Sequence, residues 1–252
     1  MEEINKLGGL GASEIGALFT QQGLKAKTAQ TLAYEKALEL ILGQKKHLTT
    51  TAMQHGIFNE EEAYNVIIQP NFQNTVYQSD VSFEIGKGLW ATPDVINPID
   101  NYCMDIKCPY TIYTFKQNID KVPAYYLAQV QMQMLATGFN KGYLVYYLTS
   151  NVMDEWGNKI EFDIPLDQRC HIKEFDADIE FQTEIKERAK TFFEMRDTIK
   201  SHLEEAPLIT DVEYMDLAMN DHRITRFKDK SNLLAWKGLI YKNEREGYLV
   251  IE

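Results

Sequence analysis

Residues 89–107 restrict the possible folds of this chain more than any other stretch. They read Leu-Trp-Ala-Thr-Pro-Asp-Val-Ile, then Asn-Pro-Ile-Asp-Asn, then Tyr-Cys-Met-Asp-Ile-Lys. Two apolar runs around a cluster of turn formers predict a β-hairpin whose loop is longer than the tight two-residue kind. Three charged residues interrupt the apolar pattern: Asp94, Asp105 and Lys107. Asp105 and Lys107 are two apart, so on a strand they point to the same face. Asp94 follows Pro93 towards the end of its own strand, where it can lie beside them. Two carboxylates and an ammonium on one sheet face are costly unless paired or holding a cation. A hard cation such as Mg²⁺ accepts oxygens of this kind, and the lysine can then hold or polarise a water next to it. Asp-x-Lys alone also fits a surface hairpin with a salt bridge, so the rest of the chain has to decide.

Size and composition narrow the choice. A chain of 252 residues, 44% hydrophobic and 12% aromatic, supports a sizeable packed core. No apolar run approaches the ~18 residues of a membrane span. The N-terminus, Met-Glu-Glu-Ile-Asn-Lys, lacks the apolar core of a signal peptide. Cys103, Cys108 and Cys170 have no paired metal spacing and cannot all pair with one another. The expectation is a reduced, cytoplasmic protein. Five scattered histidines argue against zinc, and the cysteine pattern against iron–sulfur clusters. A net charge of −11 opposes broad, non-specific nucleic-acid binding but leaves room for a local basic track. Divalent ions in a carboxylate site would also change its local sign.

Along the chain, residues 7–19 form a glycine-rich loop entering a short helix, with Ser13 near its start. Ser13 reads first as an N-cap; free N–H groups there, with the hydroxyl, can alternatively bind a phosphate. Residues 31–42 predict an amphipathic helix ended by Gly43, with Lys45, Lys46 and His47 in an exposed loop. A second helix over 51–68 stops before Pro70. At about 100° per residue, Met53, Gly56, Ile57, Ala63, Tyr64 and Ile67 make its apolar stripe. Glu60 falls inside that stripe, Glu61 at its edge and Glu62 on the far, solvated side. An inward Glu60 needs a metal, a lysine or a proton.

Residues 76–85 have strand composition. A helix from Pro123 to Gly138 is apolar on nearly every side and so buried, yet carries three glutamines. At least one of them needs a buried partner, since an unsatisfied amide costs ~1–3 kcal/mol. Residues 142–148 suit a central strand, and residues 159–165 an edge strand. Residues 177–204 predict a long charged helix that turns Ile179, Ile185, Phe192, Phe193 and Ile199 to the core. The tail holds a short helix and a hairpin of residues 239–241 against 248–250. The domain reading is one unit over 1–205, with 206–252 an extension packed on it.

Four stretches in fixed order carry a resemblance. Gly-Ala-Ser-Glu-Ile-Gly, residues 56–63, Thr-Pro-Asp with Asp-Ile-Lys-Cys-Pro, and Tyr-Leu-Ala-Gln-Val-Gln together resemble the phage lambda exonuclease, or YqaJ-type viral recombinase, family. Within them, Pro-Asp followed by Asp-x-Lys is similar to the PD-(D/E)xK nuclease signature. The resemblance spans about residues 6–148. It implies an α/β, restriction-endonuclease-like fold, a mixed central sheet flanked by helices. It also implies a Mg²⁺-dependent, processive 5′→3′ exonuclease on linear double-stranded DNA, leaving 3′ single strands for phage-type recombination. Two Mg²⁺ ions per site are implied, with Mn²⁺ able to substitute. By the same resemblance Asp94 and Asp105 ligate metal and Glu60 completes the acidic site. Lys107 orients or activates the attacking water, Gln129 sits beside the lysine or the scissile phosphate, and Ser13 binds the 5′-phosphate. Lys6 stands where the family carries arginine, and Asp105 where the phage lambda protein carries Glu. A ring-shaped homotrimer, a single-strand annealing partner and a bacterial host cytoplasm, with a phage or prophage source, are implied too. The alternative is a catalytically silent module on the same fold that binds DNA ends or a protein. Retention of Glu60, Asp94, Asp105, Lys107 and Gln129 together favours the enzyme.

Overall fold

The structure, a computed structural model, describes residues 6–45, 50–77, 81–86, 88–154, 156–205, 240–241 and 249–250. Strand β1 (Leu10–Gly11) opens the described chain, followed by a 3₁₀ turn at Ile15–Phe19 and helices α1 (Lys27–Leu42) and α2 (Thr51–Ala63). A π-helical turn, Tyr64–Ile68, and a last turn, α3 (Gln69–Asn71), extend α2. Next come β2 (Val76–Tyr77), β3 (Phe83–Gly86), β4 (Leu89–Ala91), β5 (Val95–Asn97) and β6 (Tyr102–Lys107). Helices α4 (Ile112–Asp120) and α5 (Ala124–Thr137) lead to β7 (Lys141–Tyr147), β8 (Cys170–Asp176) and α6 (Ile179–Glu205).

The main sheet is mixed, in the order β2-β5-β6-β7-β8. β6 and β7 run parallel, with Asp105 opposite Leu144 and Lys107 opposite Tyr146, and the other neighbours are antiparallel. A smaller sheet, β1-β4-β3, stands beside it. The expected hairpin is present: Val95 faces Met104 and Asn97 faces Tyr102 across a loop of residues 98–101. Buried Asn97 builds that loop, its Oδ1 accepting the N–H groups of Ile99 and Asp100. Its first apolar run, however, is two strands. β4 belongs to the small sheet and β5 to the large one, and the chain changes sheets at Thr92-Pro93-Asp94. Pro93 lacks the N–H that an interior strand position would use, so the break falls there. Asp94 therefore lies in a bend rather than near the end of a strand.

Gly142 brings α5 onto the sheet. A Cβ there would meet Val130 Cγ1 at 2.5 Å, so only glycine lets this helix approach so closely. Residues 128–134 of α5 are all buried, which agrees with its apolar composition. α6 packs Ile185, Ala189 and Phe192 into a core shared with α1, β1, β4 and Ala128 and Met132 of α5. Burying a residue such as Phe192 in full stabilises by about 1.5–3 kcal/mol.

Several expectations need correction. α1 starts at Lys27, before residue 31, and ends as expected at Gly43, in the left-handed region at φ 67°. The helix through Ala63 runs past Pro70, because the π turn changes the pairing: Tyr64 takes the Gln69 N–H, and Phe72 bonds back to Ile68. Residues 76–85 split between two sheets. Residues 159–165 form no strand beyond a single bridge, Met153 to Lys159. β8, unanticipated, has a half-exposed face and no clean alternation to announce it. Ile179 at the start of α6 is 70% exposed, since that turn lies beyond the core the helix covers. In the tail, β9 (Ile240–Tyr241) pairs antiparallel with β10 (Leu249–Val250), as the hairpin expectation had it. The expected short helix there, Lys46 and His47 lie outside the described residues. Among the described residues, no helix is long and apolar enough to cross a membrane.

Candidate active site

The hairpin and α5 assemble the site. Asp105, on the central strand β6, is 1% exposed. Its Oδ1 accepts two amide hydrogen bonds from α5, from Gln129 Nε2 at 2.6 Å and Gln133 Nε2 at 2.8 Å. Its Oδ2 pairs with Lys107 Nζ at 2.5 Å. The shared strand face expected of Asp105 and Lys107 is thus present. Lys107 Nζ also lies 5.1 Å from the centre of the Tyr126 ring. Tyr126, Gln129 and Gln133 are spaced three and four apart, which puts all three on one face of α5.

Asp94 joins from the bend. Its N–H donates to Met104 O at 3.1 Å, and its Oδ2 accepts the Ile106 N–H at 2.6 Å. In the hairpin register the residue opposite Ile106 is Pro93, where β5 has not yet begun. The carboxylate takes over the ladder bond that the backbone does not make there.

The charges act on one another. Burial first, then the Asp105 charge, raise the Asp94 pKa well above its ordinary value; Lys107 and the Ile106 N–H oppose the rise and Glu60 adds to it. Burial also raises Glu60, with Lys107 opposing and Asp105 reinforcing. For Lys107 burial favours the neutral amine, but Asp105 and Asp94 outweigh it and hold the group as a cation. Burial pushes the Tyr126 hydroxyl up to about 12.

α2 supplies Glu60, on a face that keeps Ala63 and Ile67 of the expected stripe but departs from it in the first turns. His55, Asn59, Ala63 and Ile67 turn inward, while Met53 and Ile57 are 53% and 63% exposed. The reason lies in the strand exit, which offers polar partners. His55 hydrogen-bonds the Pro109 backbone and stands edge-on to Tyr110, and Cys108 donates to the Asn59 carbonyl at 3.4 Å. These contacts fix the helix by its polar residues, and half-buried Glu60 sits beside that face. Glu62 is not solvated as expected: Tyr147 Oη donates to its Oε1 at 2.7 Å. Glu61 is the exposed member of the run.

The residues expected at the 5′-phosphate occupy two places. Lys6 donates to Ser82 Oγ at 2.6 Å, and Ser82 bonds Thr92 Oγ1 at 2.7 Å, two residues before Asp94. Ser13 is exposed and lines a cleft of about 700 Å³ with Lys27, Thr28, Thr31 and Tyr125. It is not the helix cap. Glu14 holds that position, and its Oε2 accepts the Gly11 N–H at 2.9 Å. Beneath the loop, Lys36 pairs with Glu14 at 2.7 Å and Glu39 at 3.1 Å, and Glu39 Oε2 accepts the Gly8 N–H.

Sequence reasoning missed Gln133, Tyr126 and Thr92. For the first two the signal was present, since Gln129 fixes a face of α5 that both share. Thr92 becomes visible only through its bond to Ser82. Of the other glutamines, Gln131 is structural: it bonds Asp176 O and receives the Asp178 N–H and Gln182 Nε2.

Among the described residues, no three His, Cys, Asp or Glu side chains stand ready as a metal-ligand group. Glu60 feels the charge of Asp105 and adds to the field on Asp94 without joining them as a ligand set. The donor chemistry of the pair nonetheless suits a hard divalent ion. Asp105 Oδ2 is a buried carboxylate oxygen that no amide binds and that Lys107 faces, and Asp94 stands in a field that disfavours its charge until a cation offsets it.

The fold has solved counterparts. The alkaline exonuclease LHK-Exo of Laribacter hongkongensis, in its structure with dAMP, is 22% identical over 79% of this chain and 93% of its own, with a TM-score of 0.63. A phage-related exonuclease from Haemophilus somnus 129PT is 18% identical over 77% of this chain and 95% of its own, with a TM-score of 0.64. These likenesses establish the mixed α/β fold of phage-type exonucleases. No curated protein matches the sequence. Residues 5–140 match the model of the YqaJ-like viral recombinase domain, more than half of the chain and every site residue described above. The chain belongs to the YqaJ-like viral recombinase family.

Proposed function

We propose that this protein is a divalent-metal-dependent exonuclease that degrades linear double-stranded DNA from its 5′ ends and leaves 3′ single strands. The observation that carries the proposal is Asp105 on β6, paired to Lys107, bracketed by glutamines and set beside Asp94. Family membership and the exonuclease counterparts of the fold support it.

Asp94 and Asp105 would hold the metal, with Glu60 completing the acidic site on the metal or water side. A bound Mg²⁺ supplies Lewis acidity and charge neutralisation at the scissile phosphate. Lys107, kept cationic by Asp105 and Asp94, holds a water by donation and offsets charge on the phosphoryl oxygens. It does so without acting as a base. Gln129 can turn from Asp105 to a phosphate oxygen. Water attacks phosphorus, the P–O3′ bond breaks and the released nucleotide keeps the 3′-hydroxyl. The shortened strand then carries a new 5′-phosphate, recreating the end the enzyme started from. Lys6, with Ser82 and Thr92 beside it, would receive that phosphate, and Ser13 would contact the DNA end from its own cleft. A ring-shaped homotrimer and an annealing partner for the 3′ strand belong to the same proposal.

The test is digestion of linear duplex DNA labelled separately at each 5′ and 3′ end, with Mg²⁺ and a closed circle as control. Early release of the 5′ label, retention of the 3′ label and an intact circle are expected. Cutting of the circle, or first release of the 3′ label, would overturn the proposal.

A further inference from the structure

We propose that Gln133 is a positioning residue for Asp105: it holds Oδ1 throughout the reaction, so that Gln129 is free to leave that oxygen for substrate. The inference rests on Asp94 and Asp105 being the metal-binding carboxylates. Both amides converge on one oxygen, at 2.6 Å from Gln129 and 2.8 Å from Gln133. A carboxylate oxygen has two lone pairs, so both bonds are made together. They fix the rotation of the carboxylate and thereby decide that Oδ2 faces Lys107.

The two glutamines are not equivalent. Gln129 is 8% exposed and Gln133 only 1%. Gln133 Oε1 is buried without a partner, a group whose desolvation opposes folding. What offsets the stranded Oε1 is the bond from Nε2 to Asp105. A single glutamine doing both tasks would leave Asp105 free to rotate whenever it turned to the DNA. A pair separates anchoring from substrate contact.

The test measures Mn²⁺ binding to DNA-free wild type, Gln133→Met and Gln129→Met by calorimetry, alongside the Mg²⁺ dependence of cleavage. Loss of a hydrogen bond that orients a ligand weakens metal binding by roughly ten- to a hundred-fold, and that is the loss expected for Gln133→Met. Its half-saturating Mg²⁺ concentration should rise by the same factor, and excess Mg²⁺ should restore cleavage. Gln129→Met should keep its ion affinity and lose kcat. A residue that only filled the core would lower the melting temperature and leave the ion affinity of the folded protein unchanged. Unaltered affinity in folded Gln133→Met overturns the inference. Absence of Mn²⁺ binding by wild type overturns the underlying assignment of Asp94 and Asp105 instead. If Gln133→Met does not fold, Gln133→Asn, too short to reach Oδ1, is read by the same criteria.

Discussion

Asp94 and Ile106 are joined side chain to backbone where the chain crosses from the β1-β4-β3 sheet to the main sheet, the carboxylate accepting the Ile106 N–H at 2.6 Å. The bond does two things. It closes the ladder that Pro93 interrupts, and it fixes a second carboxylate near Asp105, where burial and like charge raise its pKa.

Asp94→Asn should therefore stabilise the metal-free protein while abolishing cleavage. The raised pKa means that the folded state holds the proton more tightly than the unfolded one. The stability of wild type then falls as pH rises from the ordinary carboxylate value of 3.8 through the raised one. Thermal melts in EDTA across that range check this: the substitution should raise the midpoint at neutral pH, by about 2–4 °C per kcal/mol relieved, and flatten its pH slope. An unchanged slope would show that Asp94 is not the group under strain.

Glu60→Gln should reduce cleavage far more than Glu61→Gln, because Glu60 is half-buried in the field of Asp105 and Lys107 and Glu61 is exposed. Glu62→Gln should act on stability instead, since an amide oxygen can still accept from Tyr147 but loses the charge-assisted share of the bond, about 1 kcal/mol. Initial rates and melting midpoints of the three variants separate these outcomes.

Lys6→Ala should slow digestion of 5′-phosphorylated ends by roughly ten- to a hundred-fold, the loss of one charge-assisted bond, and affect 5′-hydroxyl ends little. Lysine is a point charge without the guanidinium fork, so the wild-type preference for phosphate should be modest. Initial rates on both end types measure it. Equal loss on both would make Lys6, through Ser82 and Thr92, a structural residue.

These predictions also show what the sequence could and could not display. The Asp105–Lys107 face was legible because a strand repeats every two residues whatever surrounds it. The buried glutamine helix was legible because polar amides in an apolar helix demand partners. The phase of α2 was not. Apolar Met53 and Ile57 predicted the inward face of its first turns, but backbone acceptors at Asn59 and Pro109, together with Cys108 and His55, turned His55 and Asn59 inward instead, while Ala63 and Ile67 stayed buried as expected. That docking partner is about fifty residues away in sequence. The same holds for Glu62 and Tyr147, 85 residues apart. Glu60 was placed inward because it lies beside both the expected and the observed face.

Lys36→Met should destabilise the protein by about 3–5 kcal/mol, the usual effect of removing one partner from buried charges. Lys36 is 4% exposed and holds Glu14 and Glu39, which in turn bind the Gly11 and Gly8 amides. Urea unfolding measures the loss. A change near zero would mean that the glycine-rich loop keeps its shape without this network.

The most direct test compares nucleotide release from linear duplex DNA by wild type and Asp105→Asn, in Mg²⁺ and in EDTA, with both proteins shown to be folded. Wild type should digest the duplex in Mg²⁺ and not in EDTA. Asp105→Asn should be slower in Mg²⁺ by at least about a hundredfold, because it removes a charged oxygen donor from the cation. Near wild-type digestion by folded Asp105→Asn would contradict the assignment of the active site.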